Sequence, residues 1–228
     1  MCFPNDSRPP QFPGPRTAIT RTNRTVVAHD GTVMDAVEAR PSTAAPTVGV
    51  VVIHDGRGLH PYYGALAEEL AASGFHCLAI DLYARTAGRL PRGDDFVSGE
   101  HSAQLQWRTV QHDLEAATAL LRADNPNLPI AVIGFCLGGR LALLASTMAQ
   151  LRLQGAVAFY AQTRGAARSD LPAPDQHIDA ITCPTLSIFG GSDELIPAEE
   201  IAAWQAAVAQ AQHPAHVVVY PGLGHSFF

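Results

Sequence analysis

Six short apolar runs, each bounded by turn residues and separated by segments of helical spacing, constrain this chain more than any other feature. They are VGVVVIHD (48–55), HCLAIDLY (76–83), IAVIGF (130–135), GAVAFYA (155–161), TLSIFGGSD (185–193) and HVVVYPG (216–222). Continuous β-branched runs of this length suit strands buried on both faces of a parallel sheet. Between them, YYGALAEELAASG (62–74), SAQLQWRTVQHDLEAATALLRA (102–123), GGRLALLASTMAQL (138–151) and PAEEIAAWQAAVAQAQ (197–212) carry apolar residues three and four positions apart. That spacing belongs to helices with one buried face. Strands alternating with helices predict an α/β fold, a mostly parallel twisted sheet with helices on both faces. Upstream, two β-prone stretches flank Asp30-Gly31, the signal of a hairpin.

The 228 residues suit one large domain. Residues 1–20 hold five prolines and read as an arm, leaving 21–228 as the α/β domain. The regions 84–101 and 162–180 are rich in Gly, Pro, Arg and Asp and read as long surface loops, with Arg89 and Arg92 solvated. A net charge of −6 without a basic run argues against nucleic acid as a partner. The apolar runs stop well short of the roughly 18 residues that a membrane span needs, and the arm lacks the continuous apolar stretch of a secretory leader. Cys2, Cys77, Cys136 and Cys183 lie far apart with no C-x-x-C, so neither a metal site nor a disulfide framework is expected. A cytoplasmic setting follows as the expectation. For Cys2, Cys77 and Cys183 the reading is that of small apolar side chains.

Cys136 differs. VIGFCLGGRLALLAS (132–146) runs from a buried strand through a glycine-flanked turn into a helix. In the G-x-S-x-G nucleophile elbow such a turn holds its central side chain above the sheet, and here that place belongs to Cys136. Gly134 and Gly138 leave room where the strand and the helix approach each other. The helix beginning near Leu137 points its positive end at the sulfur, which favours the reactive thiolate. In this architecture the chain order is nucleophile, acid, histidine. Asp193, after an apolar run and before a helix, fits the acid; its alternative is a helix cap, and Glu194 is the rival carboxylate. His225, in the glycine-softened PGLGHSFF, fits the base. The oxyanion donors expected are the N–H of Leu137 and one from the HDGRG loop (54–58), for which Gly56 is the candidate.

These pieces together resemble the dienelactone hydrolase family, cysteine-dependent members of the α/β-hydrolase fold. The resemblance rests on GFCLGG, DLYAR (81–85), G-x-D before a Pro-started helix, the G-H-S-F ending and the H-D-x-x-G loop, and spans 48–228. It implies a single-domain α/β-hydrolase fold with Cys136, Asp193 and His225 as the triad. It further implies that Arg85 and Ser226 hold a substrate carboxylate. The family's loop glutamate, which contacts the resting thiol and helps to ionise it, is matched by Asp55, one methylene shorter.

A thiolate beside an imidazole attacks an activated ester readily. The expected activity is therefore opening of an enol lactone or related ester on a small substrate, which the resemblance implies to be anionic, with no metal or organic cofactor needed. The alternatives are a general carboxylesterase or thioesterase, a non-catalytic scaffold used for binding, and a peroxide-sensing thiol protein. Oligomeric state stays open.

Overall fold

A computed structural model describes residues 6–89, 91–165 and 169–228; Cys2 lies outside them. Eight strands form one sheet in the order β1-β2-β4-β3-β5-β6-β7-β8. The hairpin signalled by Asp30-Gly31 is β1 (Ile19–Val27) and β2 (Val33–Pro41), paired antiparallel with Val27 opposite Val33. Gly31 takes φ +83° at its tip, a conformation open to glycine at no steric penalty. β2 then pairs antiparallel with β4 (His76–Ile80).

All further pairings are parallel: β4 with β3 (Gly49–Ile53), β3 with β5 (Ile130–Phe135), and onward through β6 (Leu153–Phe159) and β7 (Thr185–Gly190) to β8 (Ala215–Tyr220). All six apolar runs are strands. In β3 and β4 this continuous apolar character has a direct cause, because alternate residues feed two different cores, whereas β8 at the sheet edge exposes alternate residues. Val51, Ile53, Leu78 and Ile80 join one core with α4 (Trp107–Leu121) and α5 (Leu137–Ala145). Val50, Val52, Cys77 and Ala79 join the other with α1 (Pro61–Ala72) and α6 (Ala198–Val208). Helices thus cover both faces.

The segment 84–101 is less open than its composition predicts. It contains two short helices, α2 (Ala84–Ala87) and α3 (Ser98–Ser102). Arg92, expected in solvent, is only 3% exposed. Its Nη2 donates to Asp81 Oδ2 at 2.6 Å and to the Gly88 carbonyl at 2.6 Å, and its guanidinium lies 4.7 Å from the Phe96 ring centroid. Buried Asp81 at the end of β4 requires a cation, and Arg92 supplies it. The helix expected over 102–123 starts only at Trp107, where Asp170 accepts the Trp107 N–H at 2.7 Å. No helix among the described residues is long and apolar enough to cross a membrane.

Candidate active site

β5 ends at Phe135, α5 begins at Leu137, and Cys136 between them takes φ 53° and ψ −113°. A non-glycine residue held there carries about 1–3 kcal/mol of backbone strain, which the surrounding structure must impose. The imposed geometry is legible in the glycines. A Cβ on Gly134 would overlap the Gly138 carbonyl, and one on Gly138 would overlap the carbonyl oxygens of Ile53 and His54. The elbow helix therefore sits directly on the ends of β5 and β3. Cys136 is half-buried at the helix N-terminus, while Cys77 and Cys183 are buried in the cores. Burial pushes the Cys183 thiol up to about 11 and that of Cys77 higher still.

Asp193 and His225 meet from loops after β7 and β8. His225 Nδ1 donates to Asp193 Oδ2 at 2.7 Å, while Asp193 Oδ1 accepts the N–H groups of Leu195 at 2.8 Å and Ile196 at 3.2 Å. The carboxylate thus both caps its own turn and orients the imidazole. Pro197, not Asp193, is the N-cap of α6, and Glu194 is exposed. Burial lowers the His225 pKa, but interaction with Cys136, together with Asp193, outweighs it and raises the value above the ordinary imidazole range. Cys136, His225 and Asp193 form one interacting chain.

A cavity of about 330 Å³ opens above the elbow, lined by Cys136, Leu137 and Gly56 with Arg140, Gln162 and Leu195 among its walls. As the first residue of α5, Leu137 has an N–H without an intrahelical acceptor. The Gly56 N–H makes no hydrogen bond among the described residues. Sequence reasoning missed Arg140, one helical turn beyond Cys136. Its buried guanidinium donates to the carbonyls of Pro172, Arg164, Gly165 and Leu171, pinning those four residues beside the cavity. A lone arginine in the otherwise apolar GGRLALLA was the available signal.

Three expected residues do not line this cavity. Arg85 does not line the Cys136 cavity; its guanidinium is taken by Asp113 at 2.7 and 2.8 Å and by Asp30 at 2.9 and 3.0 Å. Asp113 is fully buried and needs this cation, so Arg85 holds the β1–β2 hairpin to α4. Burial and two carboxylates pull the Arg85 pKa in opposite directions, and the carboxylates win, raising it. Ser226 takes φ 59° and buries its Oγ without a hydrogen-bond partner among the described residues, outside the cavity walls. Asp55 is buried, and its Oδ1 accepts the Arg57 N–H at 2.8 Å and lies 3.8 Å from His60 Nε2. Burial raises the Asp55 pKa, but His60 and the Arg57 amide prevail and hold it below the usual carboxylate value. Its Oδ1 is thereby engaged beside the start of α1, while the buried Oδ2 has no hydrogen-bond partner among the described residues. No group of three or more His, Cys, Asp or Glu that could hold a metal ion occurs among the described residues.

The dienelactone hydrolase family model matches residues 34–228. The chain belongs to the dienelactone hydrolase family. It is an enzyme of that hydrolase family, with the fold the family shares. The carboxymethylenebutenolidase of Rhodococcus opacus is 33% identical over 180 residues, covering 78% of this chain and 69% of that protein. A protein of Escherichia coli K12 described as "Putative carboxymethylenebutenolidase" is 29% identical over 210 residues, covering 89% of this chain and 76% of its own length. Among solved structures, a "Putative Dienelactone Hydrolase" from Klebsiella pneumoniae superposes with a TM-score of 0.84 at 26% identity, over 92% of this chain and 89% of that one.

Proposed function

We propose that this enzyme hydrolyses a small activated carboxylic ester or enol lactone through a thioester on Cys136, with His225 as proton carrier and Asp193 as its orienting acid. The single observation that carries the reading is the Asp193–His225–Cys136 chain, whose Cys136 end lines a cavity. In the first half, Cys136 Sγ bonds to the ester carbonyl carbon and the carbonyl π electrons move onto oxygen. The N–H groups of Leu137 and Gly56 receive that oxyanion. Its collapse breaks the ester C–O bond, and the leaving oxygen takes a proton from the His225 imidazolium. In the second half, His225 removes a proton from water as the water oxygen attacks the thioester. Collapse then breaks the C–S bond, freeing the acid and restoring the thiolate. Where the substrate is an enol lactone the leaving enol stays on the product.

Within this reading, the capture of Arg85 by Asp30 and Asp113 favours a general activated ester over an anionic lactone. Steady-state kinetics on a neutral aryl ester, an anionic enol lactone and its methyl ester test both levels. Turnover of at least one that disappears in Cys136→Ala is expected. Full turnover in that variant overturns the mechanism, whereas a strong wild-type preference for the anionic lactone overturns only the substrate class.

A further inference from the structure

Residues 54–58 after β3 form a loop whose polar groups are almost all engaged. The Asp55 N–H donates to the Tyr63 hydroxyl at 2.9 Å, and the Gly56 carbonyl accepts from the Tyr83 hydroxyl at 2.8 Å. The Asp55 carbonyl lies 2.5 Å from His54 Nδ1, with the Gly58 N–H at 3.3 Å. The opposite nitrogen, His54 Nε2, accepts the Leu82 N–H at 3.1 Å. An imidazole that accepts at Nε2 carries its proton on Nδ1, so His54 donates to the Asp55 carbonyl. The ring is fully buried, beside Tyr83 at 5.0 Å and Tyr63 at 6.4 Å between centroids. The charged and titratable groups around it are Asp81, Asp55 and His60.

A peptide unit is planar and trans, so its C=O and N–H point in opposite directions. Holding the Asp55 oxygen therefore sets where the Gly56 N–H points. That N–H is the donor left over in the loop, and Gly56 lines the Cys136 cavity. His54 touches the elbow by its main chain as well, because its carbonyl oxygen packs against Gly138. One buried residue thus ties the end of β3 to the start of the β4 loop through its ring, and to α5 through its backbone.

We propose that His54 is a positioning residue for ester hydrolysis: its buried imidazole locks the Asp55–Gly56 peptide so that the Gly56 N–H faces the oxyanion formed at Cys136. This rests on the roles proposed above for Cys136 and Gly56. The comparison that isolates it sets ester turnover against alkylation of Cys136 by iodoacetamide. Displacement at a saturated carbon develops no oxyanion and has no use for the Gly56 donor. In His54→Leu, kcat for an aryl ester is expected to fall about 10- to 100-fold with KM within about twofold of wild type. The alkylation rate constant at Cys136 stays as in wild type. His54→Gln, able to donate and accept at once, recovers most of kcat. Should His54→Leu fail to fold, His54→Asn, polar but too short to span both loops, carries the same test.

A parallel fall of turnover and alkylation marks general damage to the site and overturns the proposal, as does wild-type kcat in the Leu or Asn variant. Retained turnover in Cys136→Ala instead overturns the underlying reading, so the two failures are told apart.

Discussion

β4 and β5 are parallel neighbours on either side of β3 and end at the same edge of the sheet, yet they treat the polar residues that follow in opposite ways. After β5, Cys136 is presented to a cavity by backbone geometry alone. After β4, Asp81 and Arg85 are absorbed into ion pairs, with Arg92 closing on the first and Asp30 and Asp113 on the second. The difference follows from how each position is determined. A nucleophile elbow is specified within a few residues by glycines and a strained φ. A long arginine finds its place only among the carboxylates that the folded chain brings near.

The largest effects belong to the β5 side. Cys136→Ala is expected to abolish ester turnover, by about four orders of magnitude or more, and Asp193→Asn to lower kcat by about two to four orders with the fold intact. Glu194→Gln should leave kinetics unchanged. The reverse pattern at 193 and 194, measured by steady-state assay, breaks the assignment of the orienting acid.

On the β4 side the expected losses are of stability. Arg92→Met strands the buried Asp81 carboxylate and should cost about 3–5 kcal/mol in denaturant unfolding. Back on the β5 side, Gly138→Ala pushes a methyl into the backbone of Ile53 and His54, for a loss of about 1–3 kcal/mol together with reduced activity, because the collision lies under the elbow. Arg85→Ala sharpens the comparison. It should lower the melting temperature while shifting the ratio of anionic to neutral ester turnover by less than about twofold. A shift of one to two decades would restore Arg85 to the site and erase the contrast.

The smallest effects are in pH dependence, where two histidines carry opposite signs. Burial depresses the folded pKa of His54 despite the pull of Asp81. The unfolded chain therefore takes up the proton first, and stability is lost as pH falls below about 6.5 toward the folded value. His54→Gln should flatten that acid limb in melting experiments from pH 7.5 to 5. His225 has its folded pKa raised. Its contribution is present below about 6.5 and is lost as pH rises through the folded value, so His225→Gln should narrow the gap to wild type on the alkaline side.

Much of this was legible in one dimension. Continuous apolar runs identified the inner parallel strands because a strand buried on both faces has no polar side to show, and the edge strand β8, whose alternate residues are exposed, stood out by its three successive valines. The Asp30-Gly31 hairpin and the Cys136 elbow were equally plain, since each turn depends on local φ and on glycine. Order along the chain brought forward Asp193 and His225, and the structure joins them at 2.7 Å. The start of α4 was not legible: its first N–H is taken by Asp170, 63 residues away. Nor was the burial of Arg92, or the role of Arg140 in pinning a loop 32 residues downstream.

What the sequence determined by itself, then, was the sheet and the elbow, consequences of short-range sterics and periodic burial, together with the candidates Asp193 and His225 that the fold joins. Tertiary structure alone decided which cations face the cavity and which are spent inside the fold. Arg85 reaches Asp113 across 28 residues of chain and Asp30 across 55. A flexible guanidinium settles wherever buried carboxylates most need it, and that need exists only once the layers have packed.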